Sequence, residues 1–224
     1  MTEEKRPAQP PIIARFMRLF FRLLYHPFAW GYDLVASTVS LGRWNQWVLA
    51  AADLLPGPRI LELGFGPGHL QAHFHKAGKP LFGLDESWQM ARQAQRRLAK
   101  ANFQARLSRG LAQRMPFASA SFNNVVSTFP SPYIVDSDTL SEVWRVLAPG
   151  GRLVVLMGAW ITGSSPSERF MRTVFQVTGQ SPEENVDIVE FLEPYQKAGF
   201  QASIRFVEKP GSRLMFILAS KPAR

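Results

Sequence analysis

The sequence predicts an α/β protein: a doubly wound sheet of seven strands, mostly parallel, with an antiparallel C-terminal hairpin and a set of N-terminal helices. Three observations predict it. From Arg59 onward, short apolar runs alternate with amphipathic stretches, the rhythm of a parallel sheet covered by helices. A glycine-rich turn follows the first apolar run, and a carboxylate, Asp85, ends the second. The last two apolar runs, 201–208 and 213–220, are separated by little more than Lys209-Pro210-Gly211, which is hairpin spacing.

The elements follow in order. RILELGF (59–65) reads as a strand and HLQAHFHKAG (69–78) as a helix. KPLFGLDE (79–86) is a strand, SWQMARQAQRRLAKAN (87–102) a helix, FQARLSRG (103–110) a strand and NNVVSTF (123–129) another. LSEVWRVLAP (140–149) is a helix and GRLVVLMG (151–158) a strand. Residues 159–182 break the rhythm and read as an inserted lid, followed by a helix over 183–199 that ends at Gly199. Before the sheet, helices are expected over 12–25, 28–38 and 41–54, with Pro56-Gly57-Pro58 as a boundary. The organisation is then a flexible tail (1–11), a helical cap (12–56) and a main domain (57–224).

With 224 residues and 46% hydrophobic content, the chain can bury a full core. It has no cysteine, which excludes a disulfide framework, a thiolate nucleophile and a cysteine-ligated zinc site. No apolar run reaches the length of a membrane span. The net charge of +9 suits an anionic partner or simple solubility. Part of that charge lies on the helix IIARFMRLFFRLLY, where Arg15, Arg18 and Arg22 share one face. Its fourteen residues span roughly 21 Å. Such a helix either lies in an anionic membrane surface or packs its apolar side on its own domain. The first alternative gives a cytoplasmic protein held peripherally on the inner face of a membrane.

The turn after the first strand reads Glu62-x-Gly64-x-Gly66-x-Gly68. A dinucleotide fingerprint would place its third glycine at position 69, where this chain has His69. A smaller ligand without phosphates suits the turn better.

ILELGFGPGHL, LFGLDES, RMPFASASFNNVVSTF and LSEVWRVLAPGGRLVVL, in this order over about 58–158, resemble the class I S-adenosylmethionine-dependent methyltransferases. The EVWRVLAPGG segment (142–151) is the most specific of these, and FAWGYDLVA (28–36) is similar to a tyrosine-aspartate helix of one branch. That branch includes the ubiquinone/menaquinone-biosynthesis and phospholipid N-methyltransferases. The resemblance implies a Rossmann-like fold and S-adenosyl-L-methionine as cofactor. It implies that Gly64, Gly66 and Gly68 pass under the methionine and ribose, with Glu62 favouring the ammonium group. Asp85 would accept both ribose hydroxyls, and Leu84 and Met90 would face the adenine. Phe65, Glu86, Leu111, Ala112, Gln113 and Ser127 complete the implied cofactor set. One departure stands out. Where the branch commonly has Gly-Asp-Ala-Glu, with the aspartate meeting the adenine amino group, this chain has Gly110-Leu111-Ala112-Gln113. Leu111 accepts no hydrogen bond. A second departure is Asn123, where aspartate is usual.

Methyl transfer from a sulfonium needs positioning more than activation. No metal site is expected; His69 and His73 share a helix face but lack an acidic partner. An oxygen or carbon acceptor needs a base, for which His26 and, less directly, Tyr25 or Tyr32 are the candidates, while Tyr133 in the Pro-Ser-Pro-Tyr loop would contact substrate. A lid carrying Trp30, Tyr32, Trp160, Phe170, Met171 and Phe175 favours an apolar or lipid-like acceptor. Two alternatives stay open. One is a nucleic-acid methyltransferase using the helix with Arg92, Arg96, Arg97 and Lys100, although that helix is expected to point away from the acceptor. The other is a cofactor-binding module without turnover.

Overall fold

Strands β1 (Ile60–Leu63), β2 (Phe82–Asp85), β3 (Leu107–Arg109), β4 (Phe122–Thr128), β5 (Leu147–Ile161), β6 (Gln201–Lys209) and β7 (Ser212–Ser220) form one sheet in the order β3-β2-β1-β4-β5-β7-β6. The first five run parallel, and β7 is antiparallel to both of its neighbours. This is the expected doubly wound sheet with its hairpin. The structure, a computed structural model, describes residue 40 and residues 42–79, 81–163, 165 and 188–223, except for the side chains of 188–190.

The helices in chain order are α1 (Trp44–Leu49), α2 (His69–Lys76), α3 (Trp88–Lys100), α4 (Ser137–Val146) and α5 (Ile188–Lys197). Strand alternation sends successive side chains to opposite faces. In β5, Leu153 and Val155 join one core with Leu140 and Val143 of α4 and Leu192 of α5. Val154 and Leu156 join the other, with Trp47 of α1 and Leu70 and Phe74 of α2. A central strand buried on both faces reads as a continuous apolar run, which is why LVVL stands out in the sequence.

Several boundaries differ from expectation. The third N-terminal helix starts at Trp44 and tightens into a 3₁₀ turn over Ala50–Leu54, and its Trp47, Val48, Ala51 and Leu54 are buried in the sheet's own core. Strand β3 keeps only three residues of the eight expected. Helix α4 starts at Ser137, because Asp136 caps it by accepting from the N–H groups of Asp138 and Thr139 (2.9 and 3.2 Å). Strand β5 follows α4 without a gap and runs on to Ile161, held by pairing with β7 as far as Ile161 opposite Ser212. The first three residues of the expected lid are therefore strand. Trp160 sits opposite Arg213 in the ladder and packs near Phe206, so it is a sheet residue and not part of a lid. Thr162, Gly163 and Ser165 apart, the rest of the 159–182 segment lies outside the described residues, as do the expected helices over 12–25 and 28–38. No helix among the described residues is long and apolar enough to cross a membrane.

Candidate active site

Strand order reverses between β1 and β4, and ligands of such sheets bind at the carboxyl ends of the strands there. A cavity of about 740 Å³ opens at this point, within the roughly 300–1,000 Å³ of small-molecule sites. Gly64 and Gly66 line it at the end of β1, and Asp85 at the end of β2. Leu84, Met90 and Leu111 line it toward β3, and Phe129 and Tyr133 toward the loop after β4.

Asp85 is only 9% exposed. Its Oδ2 accepts from the Gly66 N–H (2.9 Å) and its Oδ1 from the Ser87 N–H (2.8 Å). Burial raises its pKa, and these two bonds to the charged form oppose the rise. Each carboxylate oxygen keeps a second lone pair. The group is thus held in place by the backbone and still able to accept from two hydroxyls. The serine that follows, Ser87, caps α3 by accepting from the Met90 N–H (3.3 Å), so Asp85 is free of the capping task.

The three glycines do three different jobs. A Cβ on Gly64 would lie 2.8 Å from the Tyr133 hydroxyl oxygen, so Gly64 makes room for that side chain. A Cβ on Gly68 would lie 2.9 Å from the Ala94 Cβ, so Gly68 lets α3 pack close. Only at Gly66 is nothing within 4 Å. That corrects the expectation of three equivalent glycines beneath the ligand: Gly64 and Gly66 line the cavity, and Gly68 is not on its wall.

Glu62 is also corrected. It is 2% exposed and does not line the cavity. Strand parity explains this. In β1, Leu61 and Leu63 point to one core and Ile60 to the other, so Glu62 shares the face of Ile60 and points under α2. There its Oε2 accepts from Gln71 Nε2 (2.8 Å). Burial pushes its pKa from 4.5 up to about 8, against the Gln71 bond, with Asp85 adding a small push. A neutral, buried carboxyl does not favour an ammonium group. The neutral form also offers a proton to this pair, and Gln71 Oε1 otherwise has no partner.

A pH dependence follows. Between about 4.5 and 8 the folded chain keeps a proton that the unfolded chain has released. Stability therefore falls as pH rises through this window. Glu62→Gln keeps the neutral shape, so its stability should fall less steeply, by up to about 1.4 kcal/mol per pH unit. Denaturant titrations at pH 5.5 and 8.5 check this. Equal slopes in both proteins would contradict it.

Tyr133 and Ser127 form a short relay. The Ser127 hydroxyl donates to the Leu63 carbonyl (2.9 Å), which uses its one proton. The Tyr133 hydroxyl, 2.8 Å from Ser127 Oγ, must then be the donor of that bond. Its lone pairs remain. Burial raises the Tyr133 pKa well above the usual phenol value, so the group stays neutral. Tyr133 can accept a hydrogen bond in the cavity but cannot serve as a base. Ser127 is buried behind it. Phe65 is likewise buried, packed against Ala91 and Ala94 of α3, and is not a wall residue.

The loop after β4 carries strain. Phe129 has φ +49°, a left-handed conformation worth about 1–3 kcal/mol in a bulky residue. It is held there by its N–H bond to the Leu156 carbonyl (2.8 Å) and by stacking on Trp44 (ring centroids 4.4 Å apart).

The EVWR motif has a structural task that its spacing permits, since residues three apart share a helix face. Glu142 Oε2 accepts from the Met115 N–H (2.7 Å), and Arg145 donates to the carbonyls of Phe117 (2.7 Å) and Met115 (3.1 Å). Arg145 also binds Glu142 (2.6 Å), which lowers the Glu142 pKa. This clamp pins the segment that carries Leu111, Ala112 and Gln113 along the cavity. Glu86 lines the cavity as well. Asn123 accepts from the Arg59 N–H (3.3 Å), which ties the entrance of β4 to β1. His75, on the same helix as His69 and His73, directs its ring nitrogens to the carbonyls of Gln71 and Gln104 (2.9 and 2.8 Å). Tyr25, His26, Tyr32, Arg15, Arg18 and Arg22 lie outside the described residues.

Residues 60–151 match a family model described as a methyltransferase domain. A demethylmenaquinone methyltransferase of Symbiobacterium thermophilum is 31% identical over 196 residues, covering 83% of this chain and 74% of that protein. The chain belongs to the class I S-adenosylmethionine-dependent methyltransferases, in the ubiquinone/menaquinone-biosynthesis branch. A second demethylmenaquinone methyltransferase, from Beutenbergia cavernae, is 32% identical over 172 residues, 72% of this methyltransferase and 69% of that one. Among solved structures, geranyl diphosphate C-methyltransferase of Streptomyces coelicolor, in complex with S-adenosyl-L-homocysteine, matches with a TM-score of 0.56. It is 17% identical and the match covers 81% of this chain and 82% of that one, a likeness of fold.

S-adenosyl-L-methionine is the cofactor of this methyltransferase, and the cavity fits it. Gly66 leaves a cradle that a Cβ would fill. Asp85 would offer two acceptors to the vicinal hydroxyls of a ribose. Leu84, Met90 and Leu111 would offer apolar surface to a base. Sequence reasoning left several wall residues out of the site, Trp88, Gln89 and Arg109 among them. Trp88 could have been found as a large apolar residue at the first position of a capped amphipathic helix, outside its buried set of Met90, Ala91, Ala94 and Leu98.

Proposed function

We propose that this methyltransferase methylates a ring carbon of a reduced, lipid-tailed quinone. One observation carries the proposal: the acceptor-side wall, Thr128 to Tyr133, has no charged side chain and presents Phe129, Pro130 and Tyr133. A cationic amine or a phosphate would find no counter-charge on that wall, whereas an aromatic ring packs well on it. The naming of its relatives from Symbiobacterium and Beutenbergia for demethylmenaquinone supports the same acceptor class.

Bound S-adenosylmethionine supplies an electrophilic methyl group open to in-line attack. The chain's own residues orient the acceptor. The Tyr133 oxygen accepts from a ring hydroxyl and so fixes the ring's rotation against the Phe129 face. Phe129 is itself held by Trp44. The hydroxyl proton must leave by another route, because Tyr133 stays neutral and keeps its own proton on Ser127. His26 and Tyr32 remain the proposed bases for that step, from the N-terminal segment. A peripheral position on an anionic membrane, through Arg15, Arg18 and Arg22, would bring the enzyme to such an acceptor.

Labelled S-adenosylmethionine should be incubated separately with a reduced demethylated naphthoquinone, phosphoethanolamine, histamine and transfer RNA. The expected result is label in the quinol alone, at a ring carbon by mass spectrometry. Label in an amine, a phosphate-bearing acceptor or RNA, with none in the quinol, would overturn the proposal.

A further inference from the structure

We propose that Trp44, which lies outside the cavity, is a positioning residue for the methyl acceptor: its indole holds Phe129 in a left-handed conformation and so sets the wall from Thr128 to Tyr133. The inference rests on the acceptor meeting that wall, and not on which acceptor it is.

Phe129 is the point where the chain leaves the sheet. Thr128 is the last residue of β4 and pairs with Leu156 of β5. The next residue turns to φ +49°, and Phe129, Pro130, Ser131 and Tyr133 then run along the cavity. Two things oppose that turn. In the left-handed region a Cβ crowds the following carbonyl oxygen. The proline at position 130 also drives the residue before it toward extended backbone. Such a conformation persists only where its surroundings over-determine it.

Two contacts surround Phe129. Its N–H donates to the Leu156 carbonyl (2.8 Å). Its ring stacks on Trp44, with centroids 4.4 Å apart and planes 26° apart, and Trp47 is tilted toward it at 6.3 Å. The hydrogen bond fixes the peptide plane before the Cα atom, and rotation about the N–Cα bond leaves that plane where it is. The bond therefore does not set φ. The ring moves with that rotation, so the stack does set it. The indole in turn sits on a fixed base. Its backbone N–H donates to Ser40 Oγ (2.9 Å), Ser40 is fully buried, and Trp47 is buried one turn further along the helix. Trp44 is not on the cavity wall, so it reaches the acceptor only through Phe129. The cofactor side is built without it, since Asp85 accepts from Gly66 and Ser87.

The test uses the full chain, labelled S-adenosylmethionine and a reduced demethylated naphthoquinone. W44A should lower kcat/KM for the quinol by about tenfold or more, while S-adenosylhomocysteine affinity by calorimetry stays within about twofold. W44F keeps a flat ring and should recover most of the loss. Glycine adopts the left-handed region without steric cost, so the backbone of F129G no longer needs the indole. Adding W44A to F129G should then change kcat/KM by less than about threefold. Two losses that multiply in the double variant, or an S-adenosylhomocysteine affinity that falls in step with turnover in W44A, would overturn the inference. The crystal structure of W44A gives a readout that needs no acceptor. Phe129 should return to negative φ, and a positive φ retained there would overturn the inference. Absent turnover of the quinol by the wild type would count against the proposed acceptor, and the W44A structure would then decide this inference by itself.

Discussion

Replacing Asp85 with alanine is expected to weaken S-adenosylhomocysteine binding by about 100-fold or more, since two hydrogen bonds to a charged acceptor disappear at once. The loss has a second part. Asp85 also holds the Gly66 and Ser87 N–H groups. Without it, Gly66 loses its tie to β2, which then holds the turn only through the Gly64 N–H on the Leu84 carbonyl (2.8 Å), and the floor of the cavity is less firmly preset. Asp85→Asn should fall between alanine and wild type. Its single oxygen can keep one backbone bond, but its amide turns a donor toward the other N–H. Calorimetry measures all three proteins. A change below about threefold in Asp85→Ala would show that the ribose is held elsewhere.

Gly64→Ala should cost about 100-fold in turnover, and adding Tyr133→Phe should return much of it. The added methyl would stand 2.8 Å from the Tyr133 hydroxyl oxygen, well inside contact distance. Tyr133 would be pushed off Ser127 and out of the position proposed to orient the acceptor. Removing the hydroxyl removes the clash, because the next ring atom, Cζ, lies at an ordinary 3.8 Å. What remains is the cost of alanine at φ +66°, about 1–2 kcal/mol. The double variant should therefore turn over faster than Gly64→Ala alone, though slower than Tyr133→Phe alone. Steady-state rates of the three variants test this coupling. If the double variant is as slow as the product of the two single losses, the contact between Gly64 and Tyr133 is not what limits the enzyme.

Much of the fold was legible because its signals are local. The alternation of apolar runs and helices, the hairpin spacing and the position of Asp85 after a second strand all lie in short windows of sequence. Strand parity was also available: Glu62 lies one residue from Leu61 and Leu63, so it had to face away from them, under α2. What no short window shows is which neighbours a residue meets across the fold. The three glycines look alike in the chain, yet Tyr133 and Ala94 give two of them different tasks. The direction of the Tyr133 proton depends on the Leu63 carbonyl, 70 residues earlier and on the strand next to β4, through Ser127. The end of β5 depends on its partner β7, whose pairing carried the strand into the segment expected to be a lid. The EVWR clamp was half legible, since its i,i+3 spacing announced a pair on one helix face but not the loop that the pair grips.

The most direct test of the account is the structure of the complex with S-adenosylhomocysteine. It should show both ribose hydroxyls on Asp85, the methionine arm over Gly64 and Gly66, and the adenine against Leu84, Met90 and Leu111. A nucleoside bound away from Asp85, or a dinucleotide taking the cavity in its place, would contradict it.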